Sequence, residues 1–375
     1  MAILHGGQLS RVAKEFGIPE QQWLDLSTGI APFSYPIPDI PSKVWQELPT
    51  ISEGLIEAAK VYYQAEYCWP LAGSQQLIEK LPQLWNAEKK HNNLHNNLHN
   101  KQHNKQSTTL HAYLPKVGYK EHQQAWMEAG YQLHFYQAEL PNNIEKNSVV
   151  VVINPNNPLT DKFNVKQLTS LQKHCAAQHA LLIIDEAFAD IFSPEFSFIP
   201  HLYNANSEVN CSKAEVASSN ETTASEQTDN VIVLRSFGKF FGLAGLRIGF
   251  ACSSKKWCDV IQESIGPWSI NGPALYIAEK ALKDKYWQTQ QTLKLVSQSE
   301  AMQSLFTQHL PNCRIQANAL FITVFVENAA EIYQQLCKVA VYVRLTDERD
   351  ALRIGIADDK QLKQLINALT VLSVS

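Results

Sequence analysis

Three apolar runs in the sequence each lead into a polar residue with its own chemical capability. The run VVVVIN leads into Asn157, the run LLIID ends at Asp185, and the run VIVLRS leads to Lys239. Continuous runs of Val, Ile and Leu predict strands buried on both faces of a parallel sheet, and ligands of such sheets bind outside the carboxyl ends of the strands. We therefore expect these three side chains to share one edge of a sheet.

Side chains of these three types could together hold an aldehyde cofactor that has a pyridine ring. A lysine amine that is desolvated among other cations loses its proton more readily, so Lys239 could form an imine with the aldehyde. The Asp185 carboxylate could keep the pyridine nitrogen protonated, which lets the ring accept electrons from a carbanion on the substrate. The combination predicts pyridoxal phosphate as the cofactor.

A phosphate group on this cofactor requires hydroxyl groups, backbone amides and a guanidinium group. Ser236 and Arg247 flank Lys239 in the sequence and could supply two of these. Gly73 and Ser74 precede apolar residues at helical spacing, and a helix that begins there would direct its first amide groups towards an anion. Taken alone, a Gly-Ser pair more often marks an ordinary capped surface helix.

The other residues also have ordinary structural explanations when each is taken alone. Lys239 could be a solvated loop lysine, Asp185 a helix cap after a strand, and Arg247 a partner in a surface ion pair. A cofactor site is nevertheless favoured, because these residues occur in succession along the chain and each lies next to a predicted buried strand.

Three segments, NPNNP, IIDEAFAD and SFGKFFGLAGLRIGF, resemble those of fold-type I pyridoxal-phosphate enzymes in the class I and II aminotransferase superfamily. They are similar to histidinol-phosphate aminotransferases and, more closely, to the threonine-phosphate decarboxylases of cobalamin biosynthesis. The resemblance implies an α/β fold with a large domain on a mostly parallel sheet and a smaller C-terminal α/β domain. It also implies a homodimer, although Leu48 and Pro49 replace a Tyr-Pro pair whose tyrosine reaches the partner subunit's cofactor phosphate in relatives.

Several features of the resemblance favour the decarboxylase branch. The opening HGGQLSRVAKEFGIP and the following WLDLSTGIAPF resemble the segments that help to close the substrate pocket in that branch. Phe188 stands where aminotransferases typically have a tyrosine bonded to the cofactor's phenolic oxygen, which leaves Asn157 as the expected partner of that oxygen. Tyr119 lies in a segment that resembles the one whose aromatic ring stacks on the cofactor, and its alternative role is that of a half-buried packing residue.

The substrate's anionic groups require cationic partners, and the resemblance supplies three candidates. The run ALRIGIAD resembles the family strand that provides an arginine for the substrate carboxylate, which indicates Arg353. Arg344 stands where relatives often have another anion-binding arginine, with a solvated edge-strand residue as the alternative. His5 is a candidate for the substrate phosphate by resemblance alone.

The reaction implied by the resemblance is decarboxylation of L-threonine O-3-phosphate to (R)-1-amino-2-propanol O-2-phosphate. Transamination of histidinol phosphate or a related amino acid is the alternative, and the same residues serve both reactions. The bond held perpendicular to the cofactor ring decides between them. A regulator that only senses the cofactor would need a separate DNA-binding domain, and the N-terminal arm of about 40 residues is too short for one.

Composition and charge limit the remaining classes of function. With 375 residues, of which 45% are hydrophobic, the chain can bury a large core in two domains. A net charge of -4 predicts no nucleic-acid partner. The seven cysteines lack the paired spacing of metal ligands, so we expect no metal site. No apolar stretch approaches the roughly 20 residues that a membrane span requires, so we expect no membrane partner. The sequence also shows no secretory leader, and we therefore expect a cytoplasmic protein.

The pattern of elements predicts an arm at residues 1–40, a large cofactor-binding domain at 41–265 and a small domain at 266–375. Two polar insertions, at about 87–108 and 204–229, are expected to be surface loops. The first insertion places four histidines at four-residue intervals, so metal binding on a helical face is the alternative there. These histidines are His91, His95, His99 and His103.

Overall fold

The computed structural model describes residues 6–97, 109–192, 194–202 and 229–372. Its α-helices, in chain order, are α1 (Leu9–Phe16), α2 (Ser42–Gln46), α3 (Glu53–Tyr63), α4 (Ser74–Asn97), α5 (Lys120–Glu128), α6 (Val165–Ala177), α7 (Phe237–Phe240), α8 (Lys255–Ile265), α9 (Gly272–Lys283), α10 (Lys285–His309), α11 (Ala329–Lys338) and α12 (Asp359–Leu372). The strands are β1 (Leu24–Asp25), β2 (Cys68–Leu71), β3 (His111–Pro115), β4 (Gln132–Tyr136), β5 (Val149–Ile153), β6 (Leu181–Asp185), β7 (Val231–Ser236), β8 (Gly249–Ser253), β9 (Arg314–Ala317), β10 (Phe321–Phe325), β11 (Val341–Tyr342), β12 (Arg344–Leu345) and β13 (Ala351–Gly355).

A seven-stranded sheet forms the centre of the protein, with the strand order β2-β8-β7-β6-β5-β3-β4. All neighbours from β7 to β4 run parallel, whereas β8 runs antiparallel to both of its neighbours. Every residue of β5 and β6 is buried, and alternate residues of β5 belong to two different apolar clusters. Such a sheet is covered on both faces, which explains its continuous apolar runs. The predicted α/β fold with a mostly parallel central sheet is confirmed.

A second, antiparallel sheet has the order β12-β13-β10-β9, and the N-terminal segment lies along it. The amide of Gly355, at the end of β13, donates a 2.7 Å hydrogen bond to the carbonyl oxygen of Leu26. A Cβ atom on Gly355 would lie 2.1 Å from the carbonyl oxygen of Thr28, so only glycine permits this approach. The N-terminal segment is thereby fixed beside the strand that carries Arg353.

The predicted domain boundaries at residues 40 and 265 stay a prediction. Helix α9, which follows the second boundary, packs on α3, and Ser52 Oγ donates a 2.7 Å hydrogen bond to Glu279 Oε2 between them. Within the described ranges, no helix combines the length and the apolar character that crossing a membrane requires.

The first polar insertion differs from the expected loop, because helix α4 continues to Asn97. Extending an existing helix costs much less than nucleating one, so poor helix formers can follow an established helical segment. The loop prediction was therefore wrong for residues 87–97. His5, His99, His103 and residues 204–228 lie outside the described residues.

Candidate functional site

A cavity of about 360 Å³ lies where the loops that follow β3, β5 and β7 face the second sheet and the N-terminal segment. Six of the residues singled out from the sequence line it: Tyr119, Asn157, Lys239, Arg247, Arg344 and Arg353. Four others, Gly73, Ser74, Asp185 and Ser236, are not part of the lining but lie close behind it, as described below. The ends of the strands and the loops that follow them thus bring most of the predicted side chains together.

Lys239 reaches the cavity from a short helix that begins directly after β7. A Cβ atom on the preceding Gly238 would lie 2.6 Å from the Cα atom of Ala244, so this helix packs tightly against the following turn. The backbone carbonyl of Lys239 accepts a 2.9 Å hydrogen bond from the amide of Ala31. The lysine backbone is therefore held by its own strand connection and by the N-terminal segment.

The surroundings of Lys239 favour its neutral amine. Burial lowers its pKa to about 8, and the nearby guanidinium groups of Arg353 and Arg247 act in the same direction. The Asp185 carboxylate opposes them. An amine with this pKa is a nucleophile near neutral pH, which ordinary lysines are not.

Asp185, the last residue of β6, is held by two hydrogen bonds. His122 Nε2 donates to its Oδ2 at 2.9 Å, and the amide of Ala187 donates to its Oδ1 at 3.0 Å. Both side chains of the His-Asp pair are almost fully buried. Sequence reasoning missed His122, although its position four residues before the buried Trp126 on α5 places a polar residue on an apolar helix face.

The turn before α4, the end of β7 and the start of β8 together make a candidate anion cradle. Gly73 has a φ of +80°, and a Cβ atom on it would lie 2.9 Å from Arg247 Nη2. A Cβ atom on Gly249, which pairs with Ser236, would lie 2.9 Å from the amide nitrogen of Ser74. The two glycines allow a guanidinium, a serine and the first amides of a helix to converge, which suits a phosphate group.

Arg353 lies on β13 with its guanidinium almost completely buried, and its hydrogen bonds go to neutral oxygen atoms. Nη1 donates to Asn157 Oδ1 at 2.8 Å and Nη2 donates to the carbonyl oxygen of Ser27, while Nε has no partner among the described residues. Burial and the neighbouring Arg344 lower the pKa of Arg353 to about 9. The site therefore suits an anionic ligand, because a negative charge beside Arg353 would offset both the loss of solvation and the repulsion from Arg344.

Two aromatic side chains complete the surroundings of the lysine. The Tyr119 ring lines the cavity, and its hydroxyl donates a 3.0 Å hydrogen bond to Gln75 Oε1. Burial raises the pKa of this tyrosine well above its ordinary value. The centre of the Phe188 ring lies 5.4 Å from Lys239 Nζ, so this position offers the cavity no hydroxyl group.

A buried ion network that no local sequence pattern indicates lies behind β6 and β7. Arg235 Nη1 donates to Glu186 Oε2 at 2.7 Å and Nη2 donates to Asp190 Oδ1 at 2.9 Å. Arg235 immediately precedes Ser236 in the chain, and Glu186 immediately follows Asp185. The network therefore ties together the two strand ends that carry candidate site residues.

This set of side chains fits pyridoxal phosphate. A nucleophilic amine, a buried carboxylate, an anion cradle and an aromatic ring correspond to the cofactor's aldehyde, ring nitrogen, phosphate and ring face. No group of three or more metal-ligating side chains that could hold an ion occurs in the ranges that the structure describes.

Comparison with known proteins gives one family-level match and several individual ones. The model of the aminotransferase class I and II family matches residues 49–369. The chain is 33% identical to a threonine-phosphate decarboxylase of Pseudomonas aeruginosa, over 95% of this chain and 93% of that protein. It is 25% identical to a histidinol-phosphate aminotransferase of Ruminiclostridium cellulolyticum, over 60% of this chain and 57% of that one.

Among solved structures, the fold is similar to that of a histidinol-phosphate aminotransferase of Sinorhizobium meliloti, solved in complex with pyridoxal-5'-phosphate. The TM-score is 0.67 at 17% identity, and the match covers 100% of this chain and 95% of the other. The fold, the family model and the full-length relative agree. The chain belongs to the aminotransferase class I and II family.

Proposed function

We propose that the protein is a pyridoxal-phosphate-dependent decarboxylase that converts L-threonine O-3-phosphate into (R)-1-amino-2-propanol O-2-phosphate for cobalamin biosynthesis. The observation that carries this choice of reaction is the 33% identity, along nearly the whole of both chains, to a threonine-phosphate decarboxylase. The match to the histidinol-phosphate aminotransferase covers little more than half of either chain. The match to the decarboxylase covers 95% of this chain, so it leaves only a small part of the chain outside.

Each step of the reaction has a candidate residue in the cavity. When bound, pyridoxal phosphate supplies an aldehyde that condenses with the substrate amine and a ring that accepts the electron pair left as carbon dioxide departs. Lys239 would hold the cofactor through its amine and would donate a proton to the substrate's α-carbon once the carboxyl group has left. Asp185, fixed by His122, keeps the ring nitrogen protonated.

The cations of the cavity support a substrate with two anionic groups. Arg353 would bind the substrate carboxylate and set its direction, which decides whether the bond to the carboxyl carbon is the one that breaks. Arg344 pairs with Arg353 on adjacent strands, so both side chains leave the same face of the sheet. The second arginine is thus available for the substrate phosphate, where we also assign His5 by resemblance.

The test is to incubate purified protein with pyridoxal phosphate and L-threonine O-3-phosphate in the absence of any keto acid, and to follow release of carbon dioxide. We expect sustained turnover with stoichiometric aminopropanol phosphate, and none with Lys239→Ala. Amino transfer from histidinol phosphate to 2-oxoglutarate, without gas release from threonine phosphate, would instead establish the aminotransferase alternative.

We also assign the active protein as a homodimer, on the basis of an apolar surface around α2. Trp45, Leu48 and Trp268 are each 60% or more exposed. The segments that carry Trp45 and Trp268 approach each other, because a Cβ atom on Gly272 would lie 2.4 Å from the carbonyl oxygen of Val44. A second copy of the chain is the partner we assign, since exposed apolar residues of this kind mark protein interfaces.

Sedimentation tests this assignment. The wild-type protein should sediment as a dimer, whereas Trp45→Glu, which places a charge on the apolar surface, should sediment as a monomer.

A cytoplasmic location is part of the same proposal. The six cysteines in the described residues are all free thiols, and Cys68 lies directly opposite Cys252 on paired antiparallel strands. Unpaired thiols in such a position are typical of a reducing compartment. Fractionation of the native host should recover the protein with cytoplasmic markers.

A further inference from the structure

Two pairs of opposite charges lie at one end of the cavity. Lys120, the first residue of α5, comes from the region of the large sheet, whereas Arg344, Asp347 and Glu348 come from β12 and the turn after it. All four residues line the cavity. The two parts of the fold therefore meet there through charged groups.

The contacts within the two pairs are long. Lys120 Nζ lies 3.9 Å from Glu348 Oε1, and Arg344 Nη2 lies 3.5 Å from Asp347 Oδ1. Charge-assisted hydrogen bonds are usually about 2.7–2.9 Å long, so both pairs are loose ion pairs. Their side chains are partly exposed, and pairs of this kind contribute little to stability. Exchanging either carboxylate for another anion therefore costs the protein little.

The position of the Lys120 amine is defined by a further contact. Its Nζ donates a 3.2 Å hydrogen bond to the backbone carbonyl of Lys116, which lies four residues earlier, directly after β3. The preceding residue, Tyr119, also lines the cavity and is bonded to Gln75 on α4. The ammonium group of Lys120 is thus held at one end of the cavity, next to Tyr119, the residue whose ring we expect to stack on the cofactor.

We propose that Lys120 joins Arg344 in binding the phosphate group of the substrate, and that Glu348 and Asp347 occupy these cations until the phosphate replaces them. This inference rests on the proposed function for the identity of the substrate. A phosphate dianion carries two negative charges and three acceptor oxygens, so it can take over both cations at once. The uncharged hydroxyl of a free amino acid cannot displace either carboxylate.

If the substrate phosphate replaces the carboxylates in this way, Lys120 and Glu348 both determine substrate specificity, with opposite effects on affinity. Lys120 strengthens binding of phosphorylated amino acids, whereas Glu348 weakens it by competing for the same ammonium group. Because the cations come from two parts of the fold, the phosphate would also link the segment after β3 to the second sheet. In these roles the two residues act on the phosphate group and not on the bond that breaks, so both should change substrate affinity more than the rate of turnover.

The test compares Lys120→Gln and Glu348→Gln with Lys116→Gln and Glu327→Gln, which remove the same charges from exposed positions. We expect Lys120→Gln to raise the KM for L-threonine O-3-phosphate about tenfold with kcat nearly unchanged. Glu348→Gln should lower that KM, and the two control variants should leave it unchanged. Equal effects of Lys120→Gln and Lys116→Gln would overturn the proposal.

Calorimetry separates this proposal from the proposed function. The dissociation constants of L-threonine O-3-phosphate and L-threonine are measured for the wild-type protein and for Lys120→Gln. Loss of the preference for the phosphorylated compound in the variant supports the phosphate site even if no carbon dioxide is released. An unchanged preference contradicts it, even where the wild-type protein is an active decarboxylase.

Discussion

Arg353 Nη1 donates a 2.8 Å hydrogen bond to Asn157 Oδ1 and so joins the second sheet to the loop after β5. An asparagine amide has one acceptor oxygen and one donor NH2 group. Since its oxygen is taken by Arg353, the NH2 group is the part of Asn157 that can meet an acceptor such as the cofactor's phenolic oxygen. The same bond orients the guanidinium that we assign to the substrate carboxylate. One contact thus couples the expected cofactor and substrate sites.

Replacing Arg353 should weaken substrate binding more than turnover. Arg353→Lys keeps the charge but loses the planar fork that matches a carboxylate, so we expect KM to rise about 10- to 100-fold. Steady-state kinetics would measure this, with Arg349→Lys, an exposed arginine on the neighbouring turn, as the control. Thermal unfolding shows whether the variant is folded, because Arg353 is buried. Unchanged KM in a folded variant would reject the carboxylate role.

The pKa of Lys239 predicts a pH dependence for its covalent capture of the cofactor. With a pKa of about 8, about one tenth of the amine is neutral at pH 7, against less than about one thousandth for an ordinary lysine. The rate at which cofactor-free protein captures pyridoxal phosphate should therefore rise up to about pH 8 and level off above it. A rate still rising steeply above pH 9 would contradict the lowered pKa.

Absorbance provides the matching test of which lysine reacts. Lys239→Ala should abolish the near-visible absorbance of the imine between protein and cofactor, because Lys239 is the cavity lysine whose pKa is lowered by burial and by Arg353 and Arg247. Lys43→Ala, an exposed lysine, should leave the spectrum unchanged. An intact spectrum in Lys239→Ala would refute the assignment of this residue.

The sequence could predict the strand ends because buried parallel strands have a continuous apolar pattern that little else produces. Asp185 and Lys239 follow such runs, and the sheet brings both to one edge. His122 was within reach of the same reasoning, as a polar residue on the buried face of α5. Lys120 was not, because one lysine at a helix start differs in no way from a solvated one.

Contacts between distant segments explain the rest of what the sequence could not provide. The bond between Arg353 and Asn157 spans 196 positions, and no local pattern encodes such a pairing. The extension of α4 to Asn97 was missed for a different reason. The composition of this segment favours a loop, but the helix that precedes it can be extended at little cost.

The His122–Asp185 pair should contribute to both stability and cofactor affinity. His122→Leu removes a buried donor from a carboxylate, which costs about 1–3 kcal/mol in the free energy of unfolding. Denaturant titration would measure that loss. We also expect the cofactor to dissociate faster, because Asp185 is no longer held in one orientation. Unaltered stability and cofactor retention together would show that the pair has neither role.

The network around Arg235 predicts a large loss of stability when its cation is removed. Arg235→Met leaves the buried carboxylates of Glu186 and Asp190 without their partner, and breaking such a network costs about 3–5 kcal/mol. Lys255→Ala breaks an exposed pair with Asp259 and should have little effect. Chemical denaturation of the two variants compares them directly, and equal midpoints would show that the buried network is not structural.

The absence of a hydroxyl at Phe188 can be tested by restoring it. The ring lies 5.4 Å from Lys239 Nζ and packs edge-on against Phe321, so Phe188→Tyr keeps the ring contacts and adds one donor near the cofactor. A donor beside an ionised phenolic oxygen stabilises the ionised form, so the pH midpoint of the cofactor's absorbance change should fall. Spectra recorded across pH measure this shift, with Phe192→Tyr as a control that adds the same hydroxyl to a ring packed against Phe196. An unshifted midpoint would mean that the new hydroxyl does not reach the oxygen, and that Phe188 is a packing residue with no bearing on the choice of reaction.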